Sequence, residues 1–185
     1  ITPAFAQQGF HGGREERERA KYAAKRKSAL SNRSESLRRI NDAVESLGRT
    51  GKSSANRVLV SVSDMDTCRI LLDDIETNFR NERLPCLRID AQDSRSQKKA
   101  SLEFLFAQLA HMRPELAEAG CMIIEGLDHA KAESDLWAGL VPFLKGRKVD
   151  FGISGLSIDL SKVLVVATVE TKEHSQLDRY FGTVL

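Results

Sequence analysis

Four short apolar runs, separated by three stretches of helical periodicity, constrain this chain more than any other feature. Residues 58–62, 84–89, 122–125 and 163–167 read as strands. Between them, apolar residues recur three and four apart, the spacing of one helix face. Leu71, Leu72, Ile75 and Phe79 do so in a helix after the first strand, which follows a turn over 64–67. Leu102, Leu105, Phe106 and Leu109 do so over 96–111, and Leu136, Leu140 and Phe143 over 131–144. Strands that are apolar throughout, rather than alternating, belong to a sheet covered on both faces, and strand–helix alternation makes that sheet parallel. The expected fold is therefore α/β, a domain over 57–185. Ligands of such sheets bind beyond the carboxyl ends of the strands. Ser63, Asp90, Glu125 and Thr168 mark those ends.

Residues 1–56 are expected to form a basic helical extension and linker. Residues 1–13 are rich in Gly and Gln and read as irregular. A polar helix follows over 14–30, then a second over 34–47 with Leu37, Ile40, Val44 and Leu47 on one face. That stripe must dock, on the domain or on a partner. Residues 14–39 carry ten Lys/Arg against four Glu, a net of +6 in a chain of net charge +2, so the remainder is mildly acidic. A basic arm on an acidic domain suggests an interaction tail. Arg14, Arg17 and Lys21, with Leu37, Ile40 and Val44, are the candidate partner-binding residues. The partner would be another protein subunit, with nucleic acid or anionic lipid as further candidates. No apolar run approaches the roughly 20 residues of a membrane span. The first six residues, ending Ala4-Phe5-Ala6, read as the stub of a processed targeting segment. With the Arg-rich helix they point to an organelle, the mitochondrion slightly ahead of a secretory lumen.

Gly51-Lys52-Ser53 invites comparison with a phosphate-binding loop, but that motif follows a strand and opens a helix. Here a helical pattern precedes the triplet and a strand follows it, and Ser46 stands where the first glycine belongs. The position after the first strand reads Ser63-Asp64-Met65-Asp66-Thr67, with no Gly and no Lys. Carboxylates there cap a helix and complement its dipole, and they repel a triphosphate. Asp64-x-Asp66 also resembles the first motif of haloacid-dehalogenase-type phosphatases. By that resemblance Asp64 would be nucleophile and Asp66 general acid, with Glu125 and Asp128 as acids for Mg²⁺. Thr67 follows Asp66 at once, where the family has an intervening residue.

Cys121-Met122-Ile123-Ile124-Glu125-Gly126-Leu127-Asp128 is an apolar strand ending in acid. With Pro142-Phe143-Leu144, the Gly152/Gly155 segment over 149–158, Asp159-Leu160-Ser161-Lys162, and the strand ending Ala167-Thr168, it resembles the torsin and Clp-type AAA+ ATPase group over 57–171. The resemblance implies a three-layer, P-loop-NTPase-like parallel sheet with flanking helices and, since the chain stops near Leu185, no C-terminal lid. It makes 122–125 a Walker B strand and 163–168 a sensor-1 strand. Every nucleotide-handling position departs from the pattern. Glu125 stands for the metal-organising Asp, Gly126 for the water-activating Glu, and Glu170 near the sensor-1 Asn. Clamping a transferring phosphoryl group needs cations and Mg²⁺ ligands, and these positions offer carboxylates. The expectation is a catalytically silent AAA+-like domain serving as scaffold, regulator or accessory subunit, with no cofactor and no metal. A nucleotide-binding ATPase and the Asp64/Asp66 phosphatase are the alternatives.

Cys68, Cys86 and Cys121 lack metal-ligand spacing, and an odd count argues against a disulfide framework. Trp137 reads as core or interface. His129 follows the Walker-B-like turn; His111 and His174 have no partner at ligand spacing. Lys98-Lys99 and Arg147-Lys148 read as solvated pairs. The apolar tail, 180–185, packs on the domain or inserts into a neighbour.

Overall fold

A computed structural model describes residues 3–31, 34–52, 54–93, 102, 106–107, 110–111, 113–132, 134–152, 156–170 and 175–185, with side chains from Gly13 onward apart from that of Ser175. Two helices, α1 (Pro3–Leu30) and α2 (Glu35–Gly48), precede β1 (Arg57–Ser61) and α3 (Met65–Asn81). Then come β2 (Cys86–Asp90), the short α4 (Pro114–Glu118), β3 (Cys121–Glu125) and α5 (Asp135–Leu144). The pair β4 (Lys148–Asp150) and β5 (Ser157–Asp159) leads to β6 (Leu164–Val169), α6 (Ser175–Asp178) and β7 (Thr183–Val184).

The main sheet has five strands in the order β2-β3-β6-β1-β7, all parallel. Cys121–Ile124 and the whole of β6 are buried at consecutive positions, odd and even alike. Both faces of the sheet are therefore covered, as unbroken apolar strands require. The α/β class with a parallel sheet flanked by helices is as the sequence indicates. Strands β4 and β5 form a separate antiparallel pair, Val149 opposite Ile158. The tail adds β7 to the outer edge of β1; Ser61 N–H donates to the Leu185 carbonyl at 2.9 Å. The tail thus packs on its own domain.

The helix expected over 96–111 falls largely outside the described residues, with Leu105, Leu109 and Lys98-Lys99; Gly155 and His174 lie outside them too. Within that helix Leu102, Phe106 and Ala107 are helical and buried. The Phe106 ring meets Phe143 of α5 edge-on at 5.6 Å between centroids. Trp137 packs edge-on against Tyr180 at 5.9 Å. The three cysteines are free; Cys121 is fully buried beside Cys86, and burial pushes its thiol well up.

Two expectations about the N-terminal segment need correction. Residues 3–13 continue α1 and are not irregular; Ala and Gln are good helix formers, and they extend the helix despite the glycines. Nor do α1 and α2 stand apart as an arm. Tyr22, Ala29, Leu30, Leu37 and Ile40 belong to the same core as β1, β3 and β6. The Asn78 side chain of α3 donates to the Ala29 carbonyl at 3.1 Å. Arg19 of α1 pairs with Glu118 of α4 at 3.3 Å, and Arg113 with Glu18 at 3.3 Å.

Candidate functional site

Because β6 lies between β1 and β3, the ends of all three strands are side by side. In register, Val60 is level with Thr168, Ile124 with Ala167, and Glu125 with Asp90. The three regions singled out in the sequence, 63–67, 125–128 and 168–170, therefore share one end of the sheet.

At the first, Asp64 is the N-cap of α3 with an extended backbone. Its Oδ1 accepts the Asp66 N–H at 3.1 Å and its Oδ2 the Thr67 hydroxyl at 2.6 Å. The Thr67 hydroxyl, and after it the Asp66 amide, hold the Asp64 carboxyl below its ordinary pKa. Both oxygens are thus committed to the first turn, satisfying a helix N–H that otherwise lacks a partner. Asp66 is almost fully exposed and reaches Arg69 at 4.0 Å. Ser63 and Met65 flank the cap, and neither is buried. A helix start is where a phosphate or a carboxylate is welcome; here the chain's own carboxylate takes the place.

At the second, Glu125 is only 13% exposed and its Oε1 accepts from Nε of Arg88. Arg88, on β2, also donates to Asp73 and, at 3.1 Å, to Glu76 of α3. Burial works against this guanidinium, but the three carboxylates outweigh burial and hold its pKa above the ordinary arginine value. An internal cation therefore sits where the acid at the end of β3 points. Arg88 was missed in the sequence. The available signal is a charged residue within the otherwise apolar run over 84–89, where a buried charge has to find partners.

Gly126 follows in the left-handed region, φ +65°, and its N–H donates to the Thr168 hydroxyl at 2.9 Å. A Cβ here would lie 3.1 Å from the His129 ring. The glycine therefore does more than leave out a carboxylate: it lets the chain turn. A glutamate placed at this position, Gly126→Glu, is expected to cost about 1–2 kcal/mol for the left-handed backbone. Denaturant unfolding measures that loss, and an unchanged midpoint would contradict it.

Asp128, about 10% exposed, accepts the Glu170 N–H at 3.4 Å through Oδ2. His129 Nε2 lies 4.0 Å from Asp128 Oδ1 and 3.9 Å from Glu170 Oε2. These contacts tie the turn after β3 to the end of β6. Among the described residues no group of His, Cys, Asp or Glu is arranged to hold a metal ion.

The remaining sequence candidates lie elsewhere. Lys52 and Gly51 are exposed in a turn before β1, at the opposite end of the sheet, and Ser53 lies outside the described residues. Arg14, Arg17 and Lys21 are exposed on α1. Leu37 (1% exposed) and Ile40 (0%) are buried in the chain's own core and Val44 packs partly against it, so of the two docking alternatives this stripe takes the domain, and these three residues are not free to bind a partner. No described helix is long and apolar enough to cross a membrane. No family model matches the chain, and no curated protein matches it.

Proposed function

We propose that the chain is a catalytically silent AAA+-like domain that acts as scaffold, regulator or accessory subunit of a larger assembly. The observation that carries this reading is the Asp64 carboxylate, bonded through both oxygens into the first turn of α3, where a bound phosphate would otherwise lie. Three further features support it. The strand order sets the three nucleotide-handling positions of the resemblance side by side. Glu125 is engaged by Arg88, and Gly126 supplies a turn in place of a base. Electrostatic catalysis of phosphoryl transfer depends on cations aimed at the developing charge. At this end Arg88 is already matched by three carboxylates, and Arg69 lies 4.0 Å from Asp66. Assembly would proceed through surfaces that the core leaves exposed, among them Arg14, Arg17 and Lys21 on α1, toward an acidic protein face, nucleic acid or anionic lipid.

The hydrogen bonds of Asp64 aim its carboxylate into its own helix turn, which weighs against its acting as a phosphatase nucleophile, since a nucleophile has to be aimed at substrate. Phosphate release from Mg-ATP and from p-nitrophenyl phosphate tests both activities. The expected result is no turnover above buffer, unchanged in Asp64→Asn. Turnover abolished by Asp64→Asn would establish the phosphatase, and turnover of ATP would establish an ATPase.

A further inference from the structure

At the amino ends of β1, β3 and β6, opposite the strand ends just described, α1, α2 and α4 frame a cavity of about 450 Å³. Ala23 and Leu30 of α1, Val44 of α2 and Ala119 give it apolar walls. Its size falls in the range of small-molecule sites, about 300–1,000 Å³, which combine such walls with a few convergent polar groups.

The charges on its lining are unequal. Arg19 and Lys162 both pair with Glu118, at 3.3 and 3.7 Å, and Lys27 pairs with Glu45 at 3.0 Å; with Glu115, the lining carries four cations against three carboxylates. Arg26 differs. It donates to the carbonyls of Glu118 (3.5 Å) and Lys162 and to Oδ1 of Asn56 (2.8 Å), all neutral oxygens. A guanidinium has five N–H groups, so donors remain for a ligand. Burial draws its pKa down to about 10, the behaviour of a charge taken from water with no anion beside it.

We propose that this cavity binds a small amphipathic anion, a carboxylate or phosphate monoester on a short apolar body. Arg26 receives the anionic head, and Ala23, Leu30 and Val44 enclose the apolar part. Because α1 and α2 form two of the walls, the ligand would fasten both helices to the sheet. The inference is independent of the reading of the strand ends.

Titration calorimetry with octanoate, octyl phosphate and octanol tests it on the full chain. At least one anion is expected to bind one-to-one with a dissociation constant below about 1 mM, about tenfold or more tighter than octanol. The tighter of the two anions identifies the head group. Ala23→Trp, which fills the cavity from an exposed position on α1, should abolish binding. Arg26→Met should bring the anion down to the level of octanol. Should Arg26→Met fail to fold, Ala23→Trp still decides. Binding weaker than this limit, anions no tighter than octanol, or binding untouched by Ala23→Trp would each overturn the proposal.

Discussion

Replacing Arg88 with methionine is expected to cost about 3 kcal/mol, the lower end of what removal of one partner from a buried ion pair costs. The reason lies in what remains. Glu125, 13% exposed, would be left without its cation, while Glu76, 19% exposed, would keep only Arg80. Asp73, 66% exposed, would be solvated and contributes little. For a chain of this size each kcal/mol moves the melting temperature by roughly 2–4 °C, so a fall of about 6–12 °C is expected. The double variant Arg88→Met/Glu125→Gln should recover part of the loss, because the stranded Glu125 charge is gone. A coupling energy in the usual range for contacting residues, about 0.5–3 kcal/mol, would place Glu125 and Arg88 in one network. Additive single losses would show that the pair does not interact.

Ile40→Ala is expected to destabilise the whole domain by about 2–5 kcal/mol, as other large-to-small changes at fully buried positions do. Ile40 has no exposed surface, and the cavity left behind would lie between α2 and the sheet. Val44→Ala on the same helix should cost less, since Val44 is only partly buried. A loss confined to helix content near the N-terminus, with the main unfolding transition unmoved, would show that α2 is not integral to the core. Denaturant unfolding followed by both circular dichroism and Trp137 fluorescence separates the two outcomes.

Much of the sheet was legible because it rests on a pattern that tertiary context reinforces. Runs such as 121–124 and 163–167 are apolar at every position, and only a sheet covered on both faces buries them all. The cap at Asp64 was legible for a local reason: a carboxylate at a helix start has one strong role. The role of the N-terminal helices was harder to read. Leu37 and Ile40 mark a face that must be buried, but periodicity names the face and not what covers it. The candidate site was legible as positions and not as contacts. Glu125 could be read as an acid at a strand end, whereas its partner Arg88 is 37 residues away and is brought beside it only by the pairing of β2 with β3. The left-handed turn at Gly126 and its bond to Thr168 likewise depend on β6 entering between β1 and β3.

The central claim is that the strand ends no longer accept nucleotide, and thermal melting with and without millimolar Mg-ATP tests it most directly. The account predicts coincident transitions. A ligand present at 100 times its dissociation constant would add about 2.7 kcal/mol. In a chain of this size that amounts to a rise of about 5–11 °C. Running the same pair of melts on Ala23→Trp separates the strand ends from the cavity under α1. A rise that persists in that variant would contradict the account.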